Sequence, residues 1–266
     1  MYKRVVALVF CLVMMAGLAG QALAAEESAP AVYVDGVLLE NAHAEIYDQV
    51  TYVSFTALVS ALLPGASVTW ETDRAVARAD GLTVSARPGA LYLEANGRYL
   101  YVADGILTGD NETLVPVRTL AQALGASVSW DGAVQISSEG EALVSGDEFY
   151  DEDSVFLLSR IIYNESGNQP MEGKIAVGNV LLNRVAHPSF PSTLYDVIYQ
   201  PGQFYPEQTG CMSKTPNTDS VIAAKLCLEG AVVVEDAYWF NGAGKSCWAS
   251  RNKECVAVIG GHAFYG

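Results

Sequence analysis

The stretch Val155–Ala186, VFLLSRIIYNESGNQPMEGKIAVGNVLLNRVA, decides the fold of the C-terminal half, because it predicts two helices joined by a short turn. Asp153 and Ser154 can cap the first helix, and Gly167-Asn168 is typical of a helix end. Between these signals, apolar residues at helical spacing define a buried face: Val155, Leu158, Ile161 and Ile162. A carboxylate, Glu165, therefore emerges where a buried helix ends.

The second helix is predicted from Met171 to about Ala186, with Pro170 at a favourable position before it. It has a broad apolar surface that includes Ile175, Val177, Leu181, Leu182 and Val185. Gly178 within a helix costs about 1 kcal/mol relative to Ala, which indicates close packing against another element. The remainder of this half predicts a mainly helical domain, with a third helix Ser192–Tyr199, a long loop Gln200–Asn217 and a fourth helix from Thr218 to about Gly230.

Toward the N-terminus, the chain contains an internal duplication. TYVSFTALVSALLPGASVTW (Thr51–Trp70) aligns throughout with TLVPVRTLAQALGASVSW (Thr113–Trp130) once Leu63-Pro64 is removed from the first. Each copy predicts a short strand, an amphipathic helix ended by glycine, and an alternating strand. Pro-Gly, Asn-Gly and Asp-Gly turns separate further strands between the copies. The expected fold class is α+β, with a β-rich N-terminal domain of duplicated strand–helix–strand repeats and a mainly α C-terminal domain.

The first residues have the layout of an export signal. Lys3 and Arg4 precede an apolar run, Val5–Leu18, and Ala22–Ala24 is an A-x-A cleavage site. Residues 1–24 are therefore interpreted as a signal peptide, although an uncleaved N-terminal anchor would look nearly the same. The mature chain is expected to be secreted or held in the cell wall, outside the cytoplasmic membrane.

Charge is strongly acidic and unevenly distributed. Loss of Lys3 and Arg4 leaves 13 basic residues against 30 acids, a net charge of −17, which disfavours nucleic acid and anionic membrane surfaces as partners. Residues 25–149 hold five Arg, no Lys and 18 acids, whereas residues 150–266 hold eight basic residues and 12 acids. This shift in composition predicts two domains.

Four cysteines remain after removal of the signal: Cys211, Cys227, Cys247 and Cys255. In an exported protein they predict up to two disulfides, with Cys247–Cys255 closing a short loop and Cys211–Cys227 as the other pair. Free thiols in a chain from a reducing habitat are the alternative. No C-x-x-C pair supports a zinc site.

The N-terminal half resembles the copper amine oxidase N-terminal-like stalk domain of exported bacterial proteins. The motifs are VYVDG (Val32–Gly36) and TLVPVRTLAQALGASVSWDG (Thr113–Gly132), whereas Val53–Thr56 in the first copy departs from the family pattern. With one histidine, His43, and no cysteine or methionine, this half does not predict a copper site. The resemblance implies a spacer or adhesion module, and an exposed glycan-binding groove stays open.

The C-terminal half resembles the SleB-type cell wall hydrolases, which include spore-cortex-lytic enzymes. The motifs occur in order: Leu157–Phe204, AYWFNGA (Ala237–Ala243) and IGGHAFYG (Ile259–Gly266). The resemblance implies a lysozyme-like, goose-lysozyme-related fold. It also implies cleavage of peptidoglycan glycan strands between N-acetylmuramic acid and N-acetylglucosamine by a lytic transglycosylase with one glutamate, which corresponds to Glu165.

The chemistry gives independent reasons to examine Glu165. Cleavage of a glycosidic bond requires a carboxylic acid that stays protonated near neutral pH, and burial beside Ile161, Ile162 and Tyr163 would raise its pKa. A solvated charge at a helix end is the structural alternative. Glu172 also matches the family pattern, either as a second carboxylate or as a first-turn charge that complements the helix dipole.

Further candidates lie at positions that match the family. Each has a structural alternative, but amides and aromatic rings suit sugars, so they are expected in the cleft as substrate-binding residues: Asn183, Gln203, Phe204, Tyr238, Phe240, Asn241 and His262. Arg184 is a candidate cleft residue as well, or the partner of an acid. The main departure from the family is Ser166–Gln169, where relatives have Ala-Arg-Gly-Glu, which affects expected substrate contacts.

The expected organisation is a signal peptide (1–24), a stalk domain (25–140), a linker (141–152) and a hydrolase domain (153–266). Peptidoglycan is the expected partner, together with accessory wall or spore proteins that the sequence leaves unspecified, and neither a metal nor a cofactor is needed. The alternatives are a hydrolytic muramidase and a noncatalytic peptidoglycan-binding wall protein. Zinc and Cys/His peptidases lack supporting motifs. Vegetative wall and spore cortex both stay open as substrates.

Overall fold

The computed structural model describes residues 29–109, 111–204 and 206–266, so the predicted signal peptide lies outside the described residues. It is a mixed α+β structure, β-rich in the N-terminal half and mainly helical in the C-terminal half, as the sequence predicts. Within these ranges, every helix is too short or too polar to cross a membrane.

The N-terminal half forms three sheets, in which most strand pairs are antiparallel. Its strands are β1 (Val32–Val34), β2 (Val37–Leu38), β3 (Glu45–Tyr47), β4 (Val50–Ser54), β5 (Ser67–Glu71), β6 (Arg74–Ala79), β7 (Leu82–Ala86), β8 (Tyr92–Ala95), β9 (Arg98–Tyr101), β10 (Leu107–Gly109), β11 (Glu112–Pro116), β12 (Ser127–Trp130) and β13 (Val134–Ser137), with helices α1 (Phe55–Leu62) and α2 (Val117–Ala123). The strand orders are β12-β13-β1-β2, β10-β11-β4-β3 and β5-β6-β7-β8-β9. Parallel pairing of β1 with β13 joins the two ends of this half.

The duplicated segments adopt the same element order, β4–α1–β5 and β11–α2–β12. Strands β4 and β11 pair antiparallel, with Val53 opposite Val115, so the two copies share one sheet. Ser54 caps α1 by accepting the Ala57 N–H at 3.2 Å, whereas Pro116 at the equivalent position makes no side-chain cap. The helices and strands enclose one apolar core that contains Val53, Leu58, Val115 and Leu120.

The C-terminal half contains helices α3 (Gly146–Phe149), α4 (Glu152–Ser166), α5 (Met171–Ala186), α6 (Leu194–Ile198), α7 (Pro206–Thr209), α8 (Thr218–Leu228) and α9 (Trp248–Asn252). A 3-10 turn, Cys211–Ser213, follows α7. Strands β14 (Trp239–Gly242), β15 (Cys255–Ile259) and β16 (His262–Tyr265) form a sheet in the order β14-β16-β15. The sequence did not predict this sheet, and α3 lies in the stretch predicted as linker.

Helix ends agree with the prediction at some positions and differ at others. Helix α4 is capped by Asp151, whose carboxylate accepts the Ser154 N–H at 2.8 Å, so the predicted cap at Asp153-Ser154 is wrong. It ends before Gly167, as predicted. Helix α6 is shorter than predicted because the Thr193 hydroxyl caps it by accepting the Asp196 N–H. The predicted loop between α6 and α8 contains α7 and the 3-10 turn.

Helices α4, α5 and α8 surround the second apolar core. The prediction that Gly178 marks close packing is confirmed, because a Cβ there would lie 2.5 Å from Cys227 Sγ and 3.2 Å from Ile162 Cδ1.

All four cysteines of the C-terminal half are free, so the predicted pairs Cys247–Cys255 and Cys211–Cys227 do not form. Cys211 and Cys227 are buried in the core, where Cys227 Sγ lies 3.5 Å from the Ile175 carbonyl oxygen. Burial raises the pKa of the Cys227 thiol to about 12. Cys247 Sγ instead caps α9 by accepting the Ser250 N–H at 3.3 Å.

The two halves contact each other directly through the β5–β9 sheet and α8. Arg98 donates from Nε and Nη2 to the two carboxylate oxygens of Glu229, each at 2.7 Å, and the Tyr150 hydroxyl donates to the same carboxylate at 2.7 Å. Lys225 Nζ donates to the Gly97 carbonyl at 3.2 Å. Tyrosines of the sheet pack on the second core: Tyr92, Tyr99 and Tyr101.

Candidate active site

A cleft of about 380 Å³ lies in the C-terminal half, where the last turn of α4 meets β14 and β16. The residues 202–204 and Thr209 close another side of it. Five of the predicted substrate-binding residues and the predicted acid come together in its lining: Gln203, Phe204, Phe240, Asn241, His262 and Glu165. Glu165 and His262, the first and last of these residues, thus line the same cleft although they are far apart in the chain.

Glu165 occupies the last turn of α4 and is partly buried. Burial raises the pKa of its carboxyl above the ordinary value, and a hydrogen bond from Asn164 and the charge of Lys214 oppose this shift in part. Asn164 Nδ2 donates to Glu165 Oε1 at 2.9 Å, and Lys214 Nζ donates to Asn164 Oδ1 at 3.1 Å. Because desolvation is the largest of these effects, the net shift of the pKa favours the protonated carboxylic acid, the form that a proton donor requires.

The turn after Glu165 holds the C-terminal sheet in place through Gln169. Gln169 Oε1 accepts the Gly261 N–H at 2.7 Å, and Lys174 Nζ donates to the Gln169 carbonyl oxygen. Gly260 has φ +55°, a conformation that strains other residues, and a Cβ there would lie 2.5 Å from Gln169 Oε1, so a larger residue would displace the Gln169 side chain from the β15–β16 turn. The residue that departs from the family pattern thus anchors the hairpin that carries His262.

Arg184 is a buried cation at the base of the cleft. Its Nε donates to the Tyr238 carbonyl at 2.7 Å and its Nη1 to Gln203 Oε1 at 2.8 Å. The guanidinium lies 5.3 Å from the ring centre of Phe190 and 5.4 Å from that of Phe204. Burial lowers its pKa to about 10. Within the described residues no carboxylate forms an ion pair with it, so it orients Gln203 in the cleft instead.

His262 faces the cleft beside Phe240, with 5.5 Å between the ring centres. Burial and the nearby charge of Lys245 both lower the pKa of its imidazole, which therefore favours the neutral form near pH 7. Its Nδ1 is buried without a hydrogen-bond partner among the described residues. Asn241 also lines the cleft, and its Nδ2 donates to the Lys245 carbonyl at 3.5 Å.

Two predicted substrate-binding residues lie outside the cleft lining. Asn183 Nδ2 donates to the Ala237 carbonyl at 3.1 Å, which ties α5 to the segment before β14. The Tyr238 ring stacks on Phe190 at 5.8 Å, and its hydroxyl donates to Asp236 at 3.4 Å. Both side chains are used in contacts that position β14. Glu172 lies in the first turn of α5, away from the lining, where its charge complements the helix dipole.

Other lining residues were not predicted: Trp239, Thr209, Gly202 and Gly242. Trp239 lies in the AYWFNGA motif, but strand alternation gives no reason to place both Trp239 and Phe240 against one cleft. Asn179 was missed as well. It is buried in α5, donates to the Ala231 carbonyl at 2.7 Å and accepts the Val233 N–H at 2.9 Å. These hydrogen bonds connect α5 to the segment 231–233. An asparagine on an otherwise apolar helix face is the sequence signal that could have indicated such a contact, because buried polar groups need partners.

Groups of three or more His, Cys, Asp or Glu able to hold a metal ion do not occur in the part of the chain that the structure describes. The fold and cleft therefore define a mixed α+β protein with one partly buried carboxylic acid among amide, aromatic and guanidinium groups.

Comparison with known proteins confirms the resemblance predicted for both halves. Residues 168–265 match the family described as Cell Wall Hydrolase, and residues 33–137 match the Copper amine oxidase N-terminal domain. Each match covers less than half of the chain, so the C-terminal half is similar to cell wall hydrolases and the N-terminal half to the copper amine oxidase N-terminal domain. Glu165 lies three residues before the matched range of the first family.

Among curated proteins, the chain is 32% identical over 117 residues to a spore cortex-lytic enzyme of Bacillus cereus, a match that covers 43% of this chain and 45% of that protein. It is 30% identical over 117 residues to a spore cortex-lytic enzyme of Bacillus subtilis, with 43% and 38% covered. The matches thus span less than half the length of these relatives. The crystal structure of the catalytic domain of the Bacillus cereus SleB protein has 28% identity and a TM-score of 0.41, and the match covers 44% of this chain and 92% of that one.

Proposed function

We propose that this protein degrades peptidoglycan by cleaving the glycan bond between N-acetylmuramic acid and N-acetylglucosamine, with Glu165 as the catalytic acid. The observation that carries the proposal is the partly buried Glu165 carboxyl, whose pKa is raised by burial, in a cleft of about 380 Å³. The match to cell wall hydrolases and spore cortex-lytic enzymes supports the substrate class. A lysozyme-like fold of residues 153–266 is part of the proposal.

A single carboxyl favours a lytic transglycosylase over a hydrolase. Both usual geometries of glycoside hydrolysis employ two carboxylates, and Glu165 is the only carboxylate among the described residues that line the cleft. In the proposed reaction, Glu165 donates its proton to the glycosidic oxygen, and the bond from this oxygen to the muramic acid C1 breaks. The resulting carboxylate accepts the proton of the muramic acid 6-hydroxyl, whose oxygen bonds to C1 and closes a 1,6-anhydro ring.

The other lining residues would bind and orient the sugars. The amides of Gln203 and Asn241 suit hydroxyl and N-acetyl groups, and the rings of Phe204 and Phe240 suit the apolar faces of sugar rings. Neutral His262 has one N–H to donate, which suits a carbonyl or hydroxyl oxygen. Asn183 and Tyr238 would act indirectly, through the position of β14.

The proposed organisation is a stalk domain (25–140), a linker (141–152) and a hydrolase domain (153–266), exported by the signal peptide and working outside the cytoplasmic membrane. An uncleaved signal would leave the protein anchored by its N-terminus. The contacts of Arg98 and Tyr150 with Glu229 support a stalk that is docked on the hydrolase domain. Accessory wall or spore proteins stay open as partners.

The test is digestion of purified peptidoglycan by the wild type, Glu165→Gln and the control Glu172→Gln, followed by muropeptide analysis. We expect 1,6-anhydromuramic products from the wild type and the control, and none from Glu165→Gln. Reducing-end muramic products would replace the transglycosylase by a hydrolytic muramidase. Absence of release from the wild type would favour a noncatalytic wall-binding protein, and full activity of Glu165→Gln would remove Glu165 from the mechanism.

A further inference from the structure

Aromatic side chains continue from the cleft onto the surface of the C-terminal half. Trp239 lines the cleft, and its ring centre lies 5.6 Å from that of Trp248 and 5.8 Å from that of Phe190. Trp248 is 55% exposed. An exposed tryptophan next to a half-buried one, at the mouth of a cleft, forms a continuous aromatic surface of the kind that marks a ligand-binding groove.

Core packing does not explain the position of Trp248. Helix α9 begins at this residue, and its small core contact is made by the next residue, Ala249, which packs with Ala263 and Tyr265. The Cys247 cap fixes the start of the helix through the Ser250 N–H. The Trp248 ring is therefore held in place by its helix while most of its surface faces solvent.

Three cations lie in the segment that carries these rings. The segment 237–253 contains Lys245, Arg251 and Lys253 and no Asp or Glu, with Glu235, Asp236 and Glu254 flanking it. Lys253 Nζ lies 4.4 Å from the Trp239 ring centre. Within the described residues, these three cations form no ion pair with a carboxylate. Their charge is thus available to an anionic ligand.

We propose that Trp239 and Trp248, together with Lys245 and Lys253, form an outer subsite that binds the glycan strand of peptidoglycan beyond the sugars held in the cleft. The rings would pack against the C–H faces of sugar units, and the lysines would face the carboxylates of the peptides attached to the strand. This inference rests on the proposed function, because it takes its ligand to be the polymer that the cleft cleaves.

The subsite predicts a specific kinetic effect. Trp248 is not among the residues that line the cleft with Glu165, so it binds substrate and transition state equally and affects KM rather than kcat. For Trp248→Ala we expect the KM for long glycan strands to rise about tenfold while kcat is unchanged. Strand fragments too short to reach Trp248 should show no change. A role of Trp248 in folding alone would not produce this dependence on strand length.

The matched control is Trp70→Ala, because Trp70 is 60% exposed on β5 in the N-terminal half, outside the cleft and its rim. Binding is measured by co-sedimentation with insoluble peptidoglycan stripped of secondary wall polymers, in the Glu165→Gln background so that no cleavage occurs. We expect Trp248→Ala to weaken binding about tenfold and Trp70→Ala to leave it unchanged. Lys253→Gln should weaken binding at low salt and reduce its salt dependence.

Equal binding by Trp248→Ala and Trp70→Ala would overturn the subsite, and so would a loss seen only with walls that retain anionic secondary polymers. Circular dichroism melts of each variant identify any unfolding, and retention of the wild-type kcat by Trp248→Ala shows that the cleft is intact. The proposed function fails separately: if the wild type releases no muropeptides, the protein is not the proposed enzyme, whereas the binding comparison between the two tryptophan variants still decides the subsite.

Discussion

The carboxylate of Glu229 links the two halves of the protein, and its removal is predicted to destabilise the whole chain. Arg98 binds both of its oxygens at 2.7 Å, and the two side chains are 9% and 6% exposed. Tyr150 donates a third hydrogen bond. Glu229 is the residue at the C-terminal end of α8, where a negative charge is unfavourable unless it is paired.

In Glu229→Ala, the Arg98 guanidinium stays buried without a counter-charge and the Tyr150 hydroxyl loses its acceptor. Removing one partner of a buried ion pair costs about 3–5 kcal/mol, because the remaining charge is desolvated without compensation. For a chain of this size, each kcal/mol lowers Tm by about 2–4 °C, so the expected decrease is about 6–20 °C. The double variant Arg98→Met/Glu229→Leu should be more stable than Glu229→Ala, since it leaves no buried charge.

The assay is thermal and urea unfolding followed by far-UV circular dichroism, with Glu71→Ala as the control. Glu71 pairs with Arg78 on the surface, where the side chains are 44% and 47% exposed, so its loss should cost at most about 1 kcal/mol. Equal decreases in Tm for Glu229→Ala and Glu71→Ala would refute the reasoning. A double variant less stable than Glu229→Ala would also refute it, because desolvation of Arg98 would then not be the cause.

Three further results are expected. Because Glu165 must be protonated and its pKa is raised, kcat/KM should fall as pH rises through that pKa. The positive charge of Lys214 lowers this pKa, so Lys214→Met should shift the decline to higher pH in a pH–rate profile. Gly178→Ala should destabilise the protein by about 1–3 kcal/mol in urea unfolding, despite the better helix propensity of Ala, because its Cβ would overlap Cys227; a gain in stability would contradict this packing. Gln169→Ala should reduce kcat more than Gln169→Glu, which keeps an acceptor for the hairpin N–H; equal activity of both variants would exclude a positioning role.

Local sequence patterns predicted α4, which carries Glu165, and α5, which follows it. The apolar spacing of Leu158, Ile161 and Ile162 together with the glycine at position 167 defines α4 to within two residues, because helix formation and its termination depend on neighbours in the chain. The cap was assigned to Asp153-Ser154 instead of Asp151, an error of half a turn. All three positions carry side chains that can cap, and sequence alone does not choose between them.

Contacts between distant segments were not predictable in the same way. Gln169 and Gly261 are 92 residues apart, and Arg98 and Glu229 are 131 residues apart. Neither pair has a spacing rule, since the partners meet only after helices and sheets pack. The same reason explains why the disulfide prediction failed: the position of each thiol depends on tertiary packing, and Cys227 Sγ contacts the Ile175 carbonyl oxygen of α5 as a free thiol.

By itself, the sequence determined the α+β division, the helix pair around Glu165, the close packing at Gly178 and the resemblance to cell wall hydrolases, because these follow from short-range periodicity and ordered motifs. Only the tertiary structure decided which candidates share the cleft. It placed Gln203, Phe240 and His262 beside Glu165 and assigned Asn183 and Tyr238 to contacts behind it. Whether a side chain lies in the cleft depends on how β14 and β16 pack on α5. This packing buries surfaces of segments that are far apart in the chain, so local sequence patterns do not predict it.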